Sequence, residues 1–328
     1  MGEYRTRVIP RTAEQSLPVL SPVKSTRRRR QNPSPTTDTP HTAEQPPFVA
    51  SPFLKWAGGK GQVLSQLDAF IPQHFGRYFE PFVGSAAVFF HLRRKYGSFK
   101  ATLVDRNEDL INCYQIIKNR VRELIPLLRR HQESHSTKQY YRVREKDLES
   151  LTDLERAARL IYLNKTCYNG LYRVNSSGQF NVPVGSYSQP RVFDEENLLA
   201  VSKALKDTDL LVDDFSIVLD QADRGDFVYF DPPYYTESAG FTGYAVSLDG
   251  KAGFGAKDHR RLSNLVRTLN DRGCHLAVSN SNTTYVRNLY ESFPQHIVTA
   301  RRFINCDGTG RRPVTELVIT NPCTTSKP

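Results

Sequence analysis

The chain lacks the features that would place it in a membrane or in a disulfide-stabilised class. Its 328 residues contain no uninterrupted apolar run near the roughly 20 residues that a membrane-spanning helix needs. The five cysteines are an odd number and include no C-x-x-C pair, so their spacing predicts neither a disulfide framework nor a zinc site. We therefore expect a soluble protein of a reducing compartment, without a bound metal.

Two common nucleotide-binding motifs are also missing. No G-x-G-x-x-G follows a predicted strand, which disfavours a dinucleotide fold of the NAD type. Gly58-Gly59-Lys60 invites comparison with a phosphate-binding loop, but Gly61 follows the lysine and Leu54 stands where the first glycine is required. A nucleoside triphosphate site is therefore disfavoured.

Positive charge is present in excess. Lys and Arg number 45 against 34 Asp and Glu, and a net charge of +11 favours a polyanionic partner or an acidic membrane surface. Residues 1–50 hold eight of the 20 prolines and few aromatics, so we expect a disordered basic tail. Its arginine run at 27–30 is either a solvated stretch or a nucleic-acid-contacting arm.

From residue 51 onward, short apolar runs alternate with stretches of helical spacing, as is typical of a parallel sheet covered by helices. Seven strands are predicted, at 78–80, 101–105, 210–212, 227–230, 275–279, 296–302 and 315–320. Helices are predicted over 60–70, 85–96, 107–130, 153–167, 195–206, 257–272 and 283–292. Residues 168–190 contain Asn-Gly and Ser-Ser-Gly turns and are predicted to form loops and a hairpin.

A carboxylate, two prolines and an aromatic ring follow the predicted strand 227–230. They are Asp231, Pro232, Pro233 and Tyr234. Ligands of an open parallel sheet bind outside the carboxyl ends of its strands. An Asp carboxylate and a proline carbonyl can accept both hydrogens of one exocyclic amino group, while the tyrosine ring offers a stacking face. The pattern predicts a site for an aminopurine; the alternative is a strand that simply ends in a proline turn.

A second strand end carries residues suited to a nucleotide-like cofactor. Strand 78–80 turns through small residues into a helix, which lets the backbone approach a ligand and adds the helix dipole. The next strand ends at Asp105, where a carboxylate can accept hydrogen bonds from ribose hydroxyls. The sequence therefore favours a cofactor site at this edge.

These motifs, taken in this order, resemble those of the Dam-type adenine-specific DNA methyltransferases (D12 class, alpha group), which use S-adenosylmethionine. The resemblance rests on F-L-K-W-A-G-G-K at 53–60, F-E-P-F-V-G at 79–84, Y-N-G-L at 168–171, F-N-V-P-V-G at 180–185 and D-P-P-Y at 231–234. It continues through V-S-N-S at 278–281 and T-E-L-V-I-T-N at 315–321.

The resemblance implies an α/β fold, a Rossmann-like seven-stranded S-adenosylmethionine-dependent methyltransferase sheet with an inserted helical and hairpin DNA-recognition domain. The catalytic domain would comprise 51–106 and 207–322, and the target-recognition domain 107–206. The implied cofactor-binding residues are Trp56, Lys60, Glu80, Pro81, Phe82, Gly84, Asp105 and Asp231. Asp231 would also hold the target amino group.

One residue departs from the family pattern. Ala86 stands where members usually carry a glycine. If that position needs a positive φ, cofactor affinity would suffer, whereas at a helical first turn alanine is harmless.

Residues 168–190 and Lys55 are implied to contact DNA. The implied DNA-binding residues are Lys55, Tyr168, Asn169, Leu171, Arg173, Asn175, Pro183 and Tyr187. Tyr168 and Asn169 would fill the gap left by an extruded base, and Arg173 suits a bidentate contact with guanine. The agreement with GATC-recognising members predicts GATC as the target. For Tyr168 and Leu171 the alternative is ordinary hairpin packing.

The expected function is transfer of a methyl group from S-adenosylmethionine to adenine N6 in double-stranded DNA, by a cytoplasmic, nucleoid-associated monomer of prokaryotic or phage type. Cytosine-N4 methylation is the nearest alternative, because the amino chemistry is shared. A non-catalytic DNA-binding member of the fold is another, and Ala86 is the feature that favours it. RNA or protein-glutamine methyltransferases more typically have Asn in place of Asp231.

Overall fold

The computed structural model of the chain describes residues 49–56, 58–236, 253–300 and 314–321. Nearly all of the predicted tail at 1–50 lies outside these ranges. The last two residues of the predicted strand 296–302 also lie outside them.

A seven-stranded sheet forms the centre of the described chain. Its strands are β1 Tyr78–Glu80, β2 Ala101–Asp105, β3 Thr208–Val212, β4 Phe227–Phe230, β5 His275–Ser281, β6 Gln295–Ala300 and β7 Val314–Thr320. The strand order is β3-β2-β1-β4-β5-β7-β6. The first five strands in this order pair in parallel, and β7 is antiparallel to both β5 and β6. The predicted α/β, Rossmann-like sheet of seven strands is confirmed.

The order of the strands places the candidate site. From β1 the chain continues to β2 and β3 on one side, whereas β4 and β5 lie on the other. Such a reversal opens a crevice at the carboxyl ends of the two central strands. Every residue of β1 and β4 is buried, which explains why β4 reads as an uninterrupted apolar run.

Helices connect and cover the strands. They are α1 Leu64–Leu67, α2 Ala87–Tyr96, α3 Glu108–Glu133, α4 Thr137–Arg144, α5 Asp153–Thr166, α6 Glu195–Ala204, α7 Val218–Gln221, α8 Ala256–Arg272 and α9 Thr284–Leu289. The predicted helix 60–70 is wrong as one element: two 3₁₀ turns, Lys60–Gln62 and Asp68–Phe70, flank the four residues of α1. Glycine is a poor helix former, and Gly61 lies in the first of these turns.

Two helices were not predicted, α4 and α7. Helix α4 begins after Ser136, whose side chain accepts a hydrogen bond from the Gln139 amide. Ser followed three residues later by Gln is a start signal for a helix, so this element was present in the sequence. Helix α7 has four residues and carries no comparable signal.

The core of the sheet continues into the helices between β2 and β3. One cluster of buried residues includes Tyr78 and Phe227 of the sheet together with Leu124 of α3 and Ile161 of α5. Helix α5 begins with a capping box between Thr152 and Glu155, which fixes where it starts. The division into catalytic and target-recognition domains stays a prediction. None of the helices in the described ranges has the length and apolar character needed to cross a membrane.

Candidate active site

Acidic side chains from four strands meet at the carboxyl edge of the sheet. Glu80 ends β1, Asp105 ends β2 and Asp231 follows β4. Because β7 is antiparallel to β5, its beginning lies at the same edge and brings Glu316 there, opposite Ser281 in register. Glu316 was missed by sequence reasoning, since only this pairing places it beside the D-P-P-Y segment.

Two of these acids, Asp231 and Glu316, form a hydrogen-bonded group with Lys60 and Tyr234, which we call the Lys60 network. The Lys60 ammonium, on a residue only 4% exposed, donates to Asp231 Oδ1 at 2.8 Å and to the Tyr234 hydroxyl at 2.9 Å. Its third contact is the Gly58 carbonyl at 3.0 Å. The Tyr234 hydroxyl lies 2.7 Å from Glu316 Oε2. An ammonium can only donate, so the hydroxyl accepts from Lys60 and gives its own hydrogen to Glu316.

The electrostatics of the network keep Asp231 an acceptor. Burial raises the pKa of Asp231 to about 6, and the Lys60 ammonium opposes that shift. Near neutral pH the carboxylate is therefore largely ionised. A buried acceptor of raised pKa binds a hydrogen more strongly than an exposed aspartate does.

The Glu80 side chain makes its hydrogen bonds within the protein. Its Oε2 accepts hydrogen bonds from the Tyr78 hydroxyl at 2.9 Å and the Phe89 amide at 3.2 Å. Burial raises the pKa of Glu80 to about 8, so it is mostly protonated at neutral pH. Glu80 thereby joins β1 to the first turn of α2, and its predicted contact with a cofactor stays a prediction.

Asp105 connects the loop after β1 to the end of β2. Its carboxylate accepts from the Gly84 amide at 3.2 Å and from the Asn107 amide at 2.9 Å. The Tyr114 hydroxyl donates to the Gly84 carbonyl at 2.8 Å, so both polar groups of this glycine are held. Tyr114 was not predicted as a site residue; it lies in α3, and its sequence context resembles that of any core tyrosine.

Gly84 lets the single tryptophan pack against the loop. Its φ is +45°, and a Cβ there would lie 2.9 Å from Trp56 Cδ1. The other face of Trp56 stacks on Tyr172, with ring centroids 5.2 Å apart. The structure thus brings the predicted residues Trp56, Gly84 and Asp105 together.

Aromatic rings pack together beyond this loop. Phe82, which follows Pro81, stacks on Phe215 at 5.3 Å and meets Phe254 edge-on at 5.5 Å. Phe215 and Phe254 were missed; the signal for Phe215 was its place just after strand β3, at the carboxyl edge.

The segment after Asp231 is hydrogen-bonded to β5. The Tyr235 amide donates to Asn280 Oδ1 at 3.2 Å, and the Ser281 hydroxyl donates to the Tyr235 carbonyl at 2.7 Å. The Tyr235 ring stacks on Tyr285 at 4.2 Å. These contacts hold the backbone next to Tyr234.

Ala86 has a left-handed backbone, with φ 55° and ψ 32°, immediately before α2. The interpretation that it lies in a helical first turn is therefore wrong. The loop keeps the conformation that a glycine adopts easily, although alanine is strained there. Ala86 is fully buried.

We expect Ala86→Gly to change the free energy of unfolding by less than about 1 kcal/mol, because relief of strain offsets the loss of a buried methyl group. Ala86→Val should lower the free energy of unfolding by at least about 3 kcal/mol. A β-branched side chain is strained at a positive φ, and its extra methyl groups would overpack a site that is already filled. Urea denaturation of both variants measures these changes. Equal effects of the two substitutions would contradict a left-handed Ala86.

A surface beside the site carries the predicted DNA-binding residues. Lys55 Nζ donates to the Tyr187 hydroxyl at 3.1 Å and lies 4.8 Å from the centre of its ring. The fully buried Asn164 holds the Lys55 backbone, accepting from its amide at 2.8 Å and donating to its carbonyl at 2.7 Å. Asn164 also donates to the Gly170 carbonyl at 3.2 Å, so it joins Lys55 to the Tyr168–Gly170 turn. Asn164 was missed, because its partner is 109 residues away.

Tyr168 and Asn169 protrude from this surface. The Tyr168 amide donates to the Pro183 carbonyl at 2.9 Å, while 51% of the residue's surface is exposed. Asn169 has a φ of 55° and is also exposed. Leu171, by contrast, packs against the core. Leu171 is therefore partly packed and Tyr168 is not, and the predicted DNA contacts of both residues stay predictions.

The predicted hairpin is present, with antiparallel bridges between Val174 and Phe180 and between Cys167 and Val184. Asn175 organises its turn, since Oδ1 accepts from the Ser177 and Gln179 amides at 3.0 and 2.9 Å.

Within this hairpin, Arg173 Nε donates to Asn181 Oδ1 at 2.7 Å. If Arg173 contacts a base, that contact either replaces the hydrogen bond to Asn181 or is made in addition to it. Pro183 is exposed on the same segment.

Across the described residues, no group of three or more His, Cys, Asp or Glu side chains is arranged to hold a metal ion.

The seven-stranded sheet with its antiparallel β7, and the carboxylate that follows the central strand β4, are consistent with a Rossmann-like methyltransferase. A sequence model of the D12 class N6 adenine-specific DNA methyltransferases matches residues 56–304. The chain therefore belongs to that family. The expectation of an adenine-N6 DNA methyltransferase is confirmed, which removes the ground for cytosine-N4 methylation.

Individual relatives agree with this assignment. The chain is 44% identical over 289 residues to Type II methyltransferase M.MjaIII of Methanocaldococcus jannaschii, covering 82% of this chain and 98% of the relative. It is 37% identical to Type II methyltransferase M1.LlaDCHI of Lactococcus lactis subsp. cremoris, covering 82% and 95%. It is 33% identical to the DNA adenine methylase of Escherichia coli K12, covering 81% and 93%.

Proposed function

We propose that this chain transfers the methyl group of S-adenosylmethionine to the N6 amino group of an adenine that is swung out of duplex DNA, within the sequence GATC. The observation that carries the proposal is the Asp231 carboxylate directly after β4, bonded to Lys60 and followed by Pro232, with the Tyr234 hydroxyl held by Lys60 and Glu316. An adenine amino group lies inside the duplex, so the base must leave the stack to reach them.

The loop after β1 fits a nucleoside-containing methyl donor. Gly84 leaves no room for a Cβ beside Trp56, Asp105 lies at a strand end, and the partly buried Phe82 lies in the same loop. Bound there, S-adenosylmethionine supplies an electrophilic methyl group on a sulfonium. Trp56, Gly84 and Asp105 would hold it.

The chain's own residues orient the amino group. Asp231 and the Pro232 carbonyl each accept one of its hydrogens, which directs the nitrogen lone pair away from them. Tyr234 stacks on the base and, through Lys60 and Glu316, has one fixed position. Most of the rate enhancement then comes from orientation rather than from a strong base.

Specific reading of DNA is assigned to the surface around Lys55. Tyr168 would fill the gap left by the base, since its ring is exposed and its backbone is held. Lys55, Arg173 and Tyr187 would read base edges, with Arg173 suited to guanine. The monomeric state and the nucleoid location stay predictions.

Methyl-labelled S-adenosylmethionine tests the proposal directly. The protein is incubated with one duplex that contains GATC and one in which the site is scrambled, and the digested nucleosides are identified. We expect label in N6-methyladenine from the GATC duplex alone. Label in both duplexes would overturn the GATC assignment, and no label in either would overturn the proposed transfer.

A further inference from the structure

Two carboxylates face the single ammonium of Lys60. Lys60 Nζ lies 2.8 Å from Asp231 Oδ1 and 4.0 Å from Glu316 Oε2. The Asp231 and Glu316 side chains are equally accessible, each 19% exposed. The ammonium is thus bound to one carboxylate and about 1 Å beyond hydrogen-bonding distance from the other.

The proposed reaction, on which this inference rests, brings a second donor to Asp231. Its carboxylate must accept a hydrogen from the target amino group while Oδ1 also accepts from Lys60, so two donors share the charge of one carboxylate. If Lys60 left without another counter-ion, a buried ammonium would be unpaired, which is costly.

We propose that Glu316 is the second counter-ion of Lys60, which takes the ammonium from Asp231 when the target amino group enters. Glu316 is a positioning residue in this scheme, because it acts on the amino group through Lys60 and Asp231.

Geometry supports the exchange. The Tyr234 hydroxyl donates to Glu316 Oε2 and accepts from Lys60, so it already connects the two groups. β7 is hydrogen-bonded to both β5 and β6, which holds the Glu316 backbone while Lys60 extends from a short 3₁₀ turn. The long side chain of Lys60 is therefore the part that moves.

The test compares DNA duplexes that differ only in the target amino group. One carries adenine at the target position and the other carries purine, which has the same ring without the amino group. Fluorescence anisotropy gives the dissociation constant of each duplex for the wild type, for Glu316→Gln and for the control Glu291→Gln, which alters an exposed residue outside the network. Glutamine keeps the shape of Glu316 and an acceptor for Tyr234, but removes the charge.

We expect the wild type to prefer the adenine duplex by at least about 10-fold, and Glu316→Gln to lose about 10-fold of that preference. Glu291→Gln should keep it. A merely structural role would weaken the binding of both duplexes equally and leave the ratio of the two dissociation constants unchanged, which would overturn the proposal.

If Glu316→Gln does not fold, Glu316→Asp replaces it. We expect that variant to lose at least about threefold in the same ratio. An unchanged ratio would again overturn the proposal.

Tyr234→Phe separates the two routes by which Glu316 can act. It removes the hydroxyl between Lys60 and Glu316 but leaves both carboxylates and the ring, so it should lose less of the adenine preference than Glu316→Gln does. A loss as large as that of Glu316→Gln would assign the effect to the hydroxyl and overturn the counter-ion role.

The labelling assay separates failure of the proposed function from failure of this inference. A wild type that methylates adenine, but whose preference is absent or unaffected by Glu316→Gln, overturns the inference alone. A wild type with neither methylation nor preference overturns both.

Discussion

Asp231→Ala is expected to lower the single-turnover rate of methyl transfer by about 10²- to 10³-fold, the scale seen when a preorganised hydrogen-bonding group is removed from an active site. The substitution removes one of the two acceptors that orient the amino group. It also takes from Lys60 the carboxylate at 2.8 Å, which leaves Glu316 at 4.0 Å as the nearest carboxylate in the network. Single-turnover labelling with enzyme in excess over the GATC duplex measures the change.

Binding of DNA should survive this substitution, because Lys55, Tyr168 and Tyr187 lie on the neighbouring surface and are untouched. Asp231→Asn is the matched control. It keeps the shape and one acceptor oxygen, so we expect it to be slow but faster than the alanine variant. A turnover rate within about threefold of wild type in Asp231→Ala would remove Asp231 from its role.

Tyr168→Ala is expected to reduce extrusion of the target base by about 10- to 100-fold, the range that corresponds to the loss of one stacked aromatic ring. The side chain is 51% exposed, and its backbone is held by Pro183, so the variant should fold normally. A duplex with 2-aminopurine at the target position reports extrusion as a rise in fluorescence.

Tyr168→Phe keeps the ring and is the control for this experiment. We expect it to extrude the base nearly as well as the wild type does. A fluorescence rise in Tyr168→Ala equal to that of Tyr168→Phe would contradict the filling role and leave Tyr168 as an ordinary surface tyrosine.

The ends of the central strands were predictable because their signals are local. Strands β1, β2 and β4 have the predicted bounds. β1 and β4 are buried throughout and β2 is buried up to Asp105; Asp105 and Asp231 mark where two of the buried runs stop. Asp105 was predicted as a strand-end acid and does accept hydrogen bonds from the Gly84 loop.

The helix predicted over 60–70 shows where local reasoning failed. Its pattern was helical, but Lys60 makes three contacts at the sheet edge, with Asp231, Tyr234 and Gly58. The chain bends into a 3₁₀ turn there rather than continuing as a helix. Tertiary contacts of one side chain outweigh the modest helix propensities of its neighbours.

The sequence by itself determined the seven strands, the acids at their ends, the hairpin at 168–190 and the family. These depend on residues near one another in the chain, through burial pattern and turn chemistry. The partners of the site residues were decided only by the tertiary structure. Glu316 meets Tyr234 across 82 residues because β7 is antiparallel to β5, and Asn164 meets Lys55 across 109. Hydrogen bonds form only at contact distance, and such distant residues are brought together by strand pairing for Glu316 and by the placement of helix α5 for Asn164, both of which depend on the whole fold.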